Sequence, residues 1–391
     1  MATIGTRGKP RVYKRGSKIF LNKENDRVWA SSSNSYFDLG GGNDALWLWG
    51  NGNTVATSGG IDKLALFGNG NVVRAQGSDL KSTVYFLGDQ NFFFNDFNMA
   101  KKSEKLKVVF EEGIKQTVTG ANLNIEWKTK YLPDVYGYTL NLKANYSSFK
   151  GDHGPINVLG GTENSFLGTN IRVTLHNAKS KVYLSGAENA LYSGNQGCVA
   201  IVDGTGHSIF MRGESDITIN GSSNRVFNEN QGRKNLASKI VVNGNNNEII
   251  DSVTNHLGAL DIEINSINNS FVGQNSNIYL NGTVDINSKA VAVRIADAEK
   301  NNNNPIAIKL RDGFASYIEV LRTQYSKTFG IEARNEIQGD LVRLIGEIEY
   351  GQKGSEGGIN FVSLHYKNNV VGRVNYDSGD KISVNGTWVT W

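Results

Sequence analysis

GGNDALWLWGNGNTVATSGGIDKLALFGNGNVVRAQ, at residues 41–76, repeats on a nine-residue period. Each of its four units has Asp or Asn at the fourth position and Leu or Val at the sixth. The leading Gly suits a corner where the backbone needs positive φ, and the Leu or Val faces inward to stack on its counterpart one coil away. Two units make one coil of eighteen residues, so the pattern predicts a β-solenoid.

A related pattern recurs eleven times: a strand with alternating apolar residues, then a corner rich in Gly or Asn. Successive strands start 16 to 26 residues apart, except across one gap of 56 residues, which should hide one or two degenerate coils. The predicted fold class is all-β, a single-stranded β-solenoid (parallel β-helix) of about eleven or more coils. The strands start at Leu46, Leu64, Val84, Leu140, Ile156, Val182, Ala200, Ile217, Ile240, Ile262 and Ile278.

Asparagines recur in register at the corners of these coils. Stacked amide side chains can bond to one another and to exposed backbone groups, so we expect an asparagine ladder with a structural role. The predicted ladder residues are Asn53, Asn71, Asn91, Asn164, Asn189, Asn224, Asn247 and Asn269, with His207 in the same register.

The sequence suggests three regions. Residues 1–38 form a basic N-terminal arm and cap, and residues 39–290 form the solenoid, with an aromatic and basic insertion near 92–138 that is expected to protrude as a loop. Residues 291–391 are predicted to be a small α+β domain for capping, recognition or assembly. Within it, apolar residues at helical spacing predict a helix over 312–330.

Composition and charge narrow the class of protein. The net charge of +4 is spread along the chain outside the N-terminal arm, and aromatic residues do not interleave with basic ones, so no nucleic-acid partner is expected. The single cysteine excludes an intramolecular disulfide framework. No run of eighteen apolar residues predicts a membrane span, and no signal peptide is evident at the start.

The nonapeptides resemble the glycine- and aspartate-rich repeats of haemolysin-type calcium-binding proteins, G-G-x-G-x-D-x-apolar-x. The resemblance covers residues 41–76 only, and Asn53 and Asn71 stand where the family has aspartate. It implies export without an N-terminal signal and calcium as the one cofactor, with Asp44 and Asp62 as ligands and Asp79 beyond them. Alternatively, these aspartates cap turns by accepting backbone N–H groups, and the protein needs no cofactor.

Aromatic residues supply the predicted binding site. Trp127, Tyr131, Tyr136 and Tyr138 could form a platform on which sugar rings stack, or could pack the insertion against its host. Trp47 and Trp49 alternate with Leu46 and Leu48, so they should face outward or into a cap.

No catalytic residue is expected. The five histidines have no metal-ligand spacing. Asp203, Glu214 and Asp216, beside Arg212, are weak candidates for a carboxylate pair acting on polysaccharide. Exposed charges on a coil loop explain them equally well.

The first functional hypothesis is a non-enzymatic structural and binding protein. It would be extracellular, at a bacterial cell surface or in a phage particle (virion), with a surface glycan or a protein as partner. Solenoid ends expose unpaired strand edges, so a homo-oligomer is expected. The alternatives are a polysaccharide depolymerase of the tailspike type, a glycoside hydrolase or lyase, and a secreted toxin or effector with its activity in residues 291–391.

Overall fold

A computed structural model gives the fold. It describes residues 3–4, 10–75, 81–96, 99–100, 102–112, 115–128, 139–176, 180–229, 238–251, 260–273, 276–280, 283–288, 290–295, 306–310, 317–322, 329–333, 341–345, 349–356, 359–366, 369–376, 381–384 and 387–390.

The protein is an all-β parallel solenoid of about 12 coils, which confirms the predicted fold class. Up to Leu341–Ile345, strands pair in parallel with the equivalent strand of the next coil, as Leu46 does with Leu64 in direct register. The last strands differ: Ile359–Tyr366 pairs antiparallel with Glu349–Glu356 and Asn369–Tyr376, and Lys381–Val384 pairs antiparallel with Thr387–Thr390. Among the residues described above there is no helix, and therefore none long and apolar enough to cross a membrane. The chain divides into two compact units, residues 1–194 and residues 195–391.

The first unit contains two sheets, which we call the front and back sheets. The front sheet consists of Thr3–Ile4, Arg11–Val12, Arg27–Ser31, Ala45–Trp49, Lys63–Phe67, Thr83–Leu87, Leu106–Glu112, Leu123–Trp127, Ser148–Gly151, Asn164–Thr169 and Ser180–Ala187. The back sheet consists of Lys18–Phe20, Tyr36–Asp38, Thr54–Thr57, Val72–Ala75, Phe92–Phe94, Lys115–Ala121, Thr139–Asn145, Gly154–Gly160, Ile171–Leu175 and Ala190–Tyr192.

The second unit also contains two sets of strands. One set is Cys198–Val202, Asp216–Ile219, Lys239–Val242, Leu260–Ile264, Ser276–Leu280, Ala290–Ile295, Tyr317–Arg322, Leu341–Ile345, Lys381–Val384 and Thr387–Thr390. The other is Ser208–Met211, Arg225–Asn228, Glu248–Asp251, Asn269–Gly273, Thr283–Ser288, Ile306–Leu310, Phe329–Ala333, Glu349–Glu356, Ile359–Tyr366 and Asn369–Tyr376.

Alternation along the strands builds the core. In Ala45–Trp49, Leu46 and Leu48 are fully buried while the residues between and beside them face outward. Inward residues stack on their counterparts: the Phe86 and Phe110 rings lie parallel, with centroids 5.2 Å apart. Because successive side chains of a strand point to opposite faces, the period-2 pattern fixes which residues enter this stack.

The asparagine ladder is confirmed. At the corner before the back-sheet strands, the backbone N–H of Asn53 donates to Asn71 Oδ1 at 2.9 Å, and that of Asn71 to Asn91 Oδ1 at 2.9 Å. The second unit repeats this arrangement, with the N–H of His207 donating to Asn224 Oδ1 at 2.8 Å. Buried amide side chains thus satisfy backbone donors that a tight corner leaves unpaired.

Asn164 belongs to a different corner from the other ladder residues of its unit. It begins a front-sheet strand, and its Oδ1 accepts the N–H of Ser147 at 3.1 Å. In the same way, Leu140 and Ile156 lie in back-sheet strands, although the sequence pattern places them in phase with Leu46. The sequence pattern therefore groups these two residues with the wrong sheet, because strands of both sheets have the same alternation of apolar residues.

The predicted insertion at 92–138 contributes strands of the solenoid in its described part. Leu106–Glu112 and Leu123–Trp127 pair with each other and continue the front sheet, and Lys115–Ala121 continues the back sheet. These strands are the degenerate coils expected in the 56-residue gap. Likewise, coils already occupy part of residues 1–38, where Arg27–Ser31 pairs with Ala45–Trp49.

The predicted helix over 312–330 is wrong where the structure describes it. Tyr317–Arg322 is a strand that pairs in parallel with Ala290–Ile295 and Leu341–Ile345, and Phe329–Ala333 is another strand. Ile318 and Val320 are β-branched and alternate along the strand, which favours pairing with a neighbouring strand over the helical spacing of the same stretch. Asp312 and Phe314 lie outside the described residues.

Candidate functional site

Outward-facing aromatic residues cover part of the front sheet. At the third position of four successive strands stand Trp29, Trp47, Ala65 and Tyr85, in direct register. At the fifth position Trp49 is followed by Phe67 and then Leu87. We call the set Trp29, Trp47, Trp49, Phe67 and Tyr85 the aromatic surface.

Rings of the aromatic surface stack along the direction of the coils. The Trp29 and Trp47 centroids are 4.6 Å apart with planes inclined by 5°, and those of Trp49 and Phe67 are 5.0 Å apart with planes inclined by 8°. Tyr85, 38% exposed, is the most open of the five. Parallel β-pairing fixes the spacing of these rings, so the surface is rigid and pre-organised.

Charged residues surround the aromatic surface, and several of them form ion pairs. Lys107 Nζ lies 2.7 Å from Glu126 Oε1, and Lys81 Nζ lies 3.4 Å from Glu104 Oε1. The hydrogen bond to Glu111, at 3.0 Å, raises the pKa of Lys128, and Tyr85 lies close enough to add to that effect. Arg27 and Lys63, at the first position of two strands of the surface, are also exposed, so the rings lie beside ion pairs and further basic groups.

A groove of about 570 Å³ lies beyond the aromatic surface in the same unit. Three glycines in register, Gly151, Gly168 and Gly186, line it together with Lys150 and the 46% exposed Leu167. A Cβ on Gly168 would lie 1.9 Å from the Gly151 carbonyl oxygen, so adjacent coils approach too closely for side chains here. The groove has the volume of a small-ligand site and a mixed polar and apolar lining.

The structure places only Trp127 of the four residues in the predicted sugar-stacking platform. Trp127 is 4% exposed, packs edge-to-face with Phe149, and has a buried Nε1 that makes no hydrogen bond. It occupies the inward position in register with Phe110, which explains why its ring is covered. Its edge also lines the groove. Tyr131, Tyr136 and Tyr138 lie outside the described residues, so their part of the platform stays a prediction.

The predicted calcium ligands form a ladder of their own at the corner before the front-sheet strands. Asp44 Oδ1 accepts the N–H of Asp26 at 2.8 Å, and Asp62 Oδ1 accepts the N–H of Asp44 at 3.1 Å. Both aspartates are almost fully buried. Desolvation raises the pKa of Asp44 from 3.8 to about 6. This geometry supports the alternative in which the aspartates cap turns.

Calcium binding remains a prediction. Asp79 lies outside the described residues, and within the described part of the chain no three His, Cys, Asp or Glu side chains are grouped as metal ligands.

The weak catalytic candidates lie in the second unit, where Asp203 is separated from Asp216 and Glu214 lies two residues before Asp216. Asp203 Oδ1 accepts from Asn220 Nδ2 at 3.0 Å, at the end of an exposed amide ladder. Asp216 is exposed and lies four residues before Asn220 on the neighbouring coil, which places it roughly 13 Å from the Asp203 end of the strand. Paired glycosidase carboxylates are about 5 to 9.5 Å apart. Glu214 is exposed, and Arg212 binds Glu229 at 2.9 Å.

Comparison with known proteins gives no family assignment. No protein-family model, curated protein or solved structure matches the chain. The solenoid is therefore established by its own architecture, and the haemolysin-type resemblance of residues 41–76 has no further support.

The sequence predicted only part of the aromatic surface. Trp47 and Trp49 were expected to face outward or into a cap, and the structure places them outward. Trp29, Phe67 and Tyr85, which complete the surface, were not predicted. The signal was present, because these residues occupy the third or fifth position of strands 18 or 20 residues apart. The pattern becomes visible only when strands one coil apart are aligned with each other.

Proposed function

We propose that this protein is a rigid, non-enzymatic binding protein that recognises a glycan through the aromatic surface of its first unit. It acts outside the cell, at a bacterial surface or in a phage particle. The observation that carries the proposal is the alignment of outward aromatic rings over successive coils. Contiguous exposed apolar patches with a polar rim mark interaction sites on soluble proteins.

A glycan suits this surface better than the other partners considered. Sugars combine apolar C–H faces with hydroxyl groups, and the site combines indole and phenyl rings with ion pairs such as Lys107–Glu126 at its margin. The ion pairs of Lys81 and Lys107 engage part of the local positive charge, which favours a glycan over nucleic acid, whose binding needs a strong positive field. The separation of Asp203 from Asp216 removes one of the possible carboxylate pairs.

The test is binding of the purified full-length protein to an array of neutral and acidic bacterial surface polysaccharides. Trp47→Ala and Trp49→Ala should each weaken binding at least tenfold, because each removes a ring of the surface. Phe210→Ala is the matched control, since Phe210 belongs to an outward stacked pair of the second unit, 4.8 Å from Phe227.

Three outcomes would contradict the proposal. Wild-type protein that binds no polysaccharide would remove its basis, and loss of binding in Phe210→Ala but not in the tryptophan variants would move the site to the second unit. Release of shortened glycan during incubation would replace binding by depolymerisation.

A further inference from the structure

The ring stack at the third strand position is interrupted. Trp29 and Trp47 stack at 4.6 Å, the next strand places Ala65 at this position, and the strand after that places Tyr85. Ala65 is a partly exposed outward residue between buried Leu64 and Leu66. One rung of the aromatic ladder therefore has no ring, while aromatic residues stand on both sides of it.

The gap has the width of one ring. Neighbouring strands are about 4.8 Å apart, so the Trp47 and Tyr85 positions are separated by about 9.6 Å across the Ala65 strand. A ring centred over Ala65 would lie about 4.8 Å from each, close to the 4.6 Å that separates Trp29 from Trp47. At the fifth strand position, two residues beyond Ala65, there is no such gap, because the Phe67 ring stacks on the Trp49 ring with centroids 5.0 Å apart.

We propose that Trp47, Ala65 and Tyr85 form a slot that takes one sugar ring of a glycan, held between the indole and the phenol. This inference rests on the proposed function and assigns its binding subsite. Lys63, exposed two residues before Ala65 on the same strand, supplies N–H donors to the oxygens at the edge of the ring. Phe67, two residues after Ala65, supplies an apolar wall.

The slot favours a sugar over a nucleic acid for two reasons. It offers one ring-sized space, whereas single-stranded nucleic acid uses successive platforms along a positively charged groove. The nearby lysines Lys81 and Lys107 are engaged by Glu104 and Glu126, at 3.4 and 2.7 Å. Binding to a single-stranded oligonucleotide rather than to polysaccharide would therefore overturn the assignment.

The decisive variant is Ala65→Trp, which puts a ring into the slot. It should raise the melting temperature by about 2 °C, because the new indole stacks between Trp47 and Tyr85. Binding to the polysaccharides that wild-type protein retains on the array should fall at least tenfold. A gain in stability combined with a loss of binding separates a filled site from a misfolded protein.

A control outside the slot isolates its effect. Ala56→Trp adds an outward tryptophan on the back-sheet strand Thr54–Thr57 of the same unit and should leave binding unchanged.

Each outcome decides the matter. If Ala65→Trp binds polysaccharide as well as wild type does, the slot is not the binding subsite, but the proposal that the protein recognises a glycan is unaffected. If Ala65→Trp lowers the melting temperature, the space is not ring-sized and the slot is again wrong. If wild-type protein binds no polysaccharide, the proposed function and the slot both fall.

Discussion

At the scale of single residues, both Asn and Asp side chains accept backbone N–H groups at the corners of the solenoid, but a buried Asp costs more folding free energy than a buried Asn. Asn53 accepts a backbone N–H and donates its own Nδ2 to the Ser32 carbonyl oxygen at 2.8 Å, so both ends of the amide are satisfied. Asp44 accepts an N–H with Oδ1, but its buried Oδ2 has no hydrogen-bond partner. A buried polar atom without a partner is unfavourable, and more so when it carries charge.

Asp44→Asn should make the protein more stable at pH 8, and the gain should be clearly smaller near pH 4.5. Burial raises the pKa of Asp44 to about 6, so the protonated form is favoured in the folded state. The resulting stabilisation is complete below pH 3.8 and is lost as the pH rises through 6, where the carboxylate costs up to about 3 kcal/mol. Thermal unfolding of both proteins between pH 4.5 and 8 measures the difference.

The control for this prediction is the reverse change, Asn53→Asp. It places a carboxylate in the amide ladder and should lower the melting temperature at pH 8 more than at pH 4.5. Equal effects of Asp44→Asn at both values of pH would contradict the proposed burial of charge.

Calcium tests the same corner in another way. Asp44 and Asp62 use Oδ1 to hold backbone N–H groups, so we expect calcium and chelator to leave the melting temperature of wild-type protein unchanged. A rise of several degrees with calcium that disappears in Asp44→Asn would instead establish the haemolysin-type ion site.

At the scale of strands and corners, close approach of adjacent coils limits which residues fit. Gly168→Ala should destabilise the protein by about 2 kcal/mol or more, because its Cβ would lie 1.9 Å from the Gly151 carbonyl oxygen and the coils would have to separate. Gly160→Ala is the matched control: its Cβ would meet only the flexible Lys143 side chain, with Cγ at 3.6 Å and Cε at 3.9 Å. Urea unfolding of both variants measures the two costs, and equal costs would show that the backbone yields at Gly168.

The sequence predicted the solenoid because each repeat lies within a short stretch of chain. It did not predict which of the two sheets every strand joins. The strands that contain Leu46 and Leu64 are both followed by the corner sequence Gly-Asn-Gly-Asn, which shows that they occupy equivalent places in successive coils. Between Lys115–Ala121 and Leu123–Trp127 the corner is the single residue Asn122, at φ 54°, too short to stand out in the sequence. Trp127 could not be assigned to the core from alternation alone, because its face depends on register with Phe110. The aromatic surface was hidden for the same reason, since it exists only between coils.

At the scale of the whole molecule, we expect assembly through the strand Lys18–Phe20. Among the described residues it pairs with Tyr36–Asp38, and it ends in Phe20, which is 67% exposed. A strand that presents an exposed aromatic residue is prone to pair with another chain. We therefore expect self-association that uses the N-terminal end of the first unit.

Light scattering of the purified protein should give a mass that is a multiple of 42.7 kDa, because association covers this edge. Phe20→Glu should shift the mass towards the single chain, since it places a charge where apolar contact is expected. Leu159→Glu changes a residue that is 41% exposed on Gly154–Gly160, away from the edge, and should leave the mass unchanged. Wild-type protein at 42.7 kDa at micromolar concentration would exclude assembly through this edge, whereas equal dissociation of both variants would place the interface elsewhere on the solenoid.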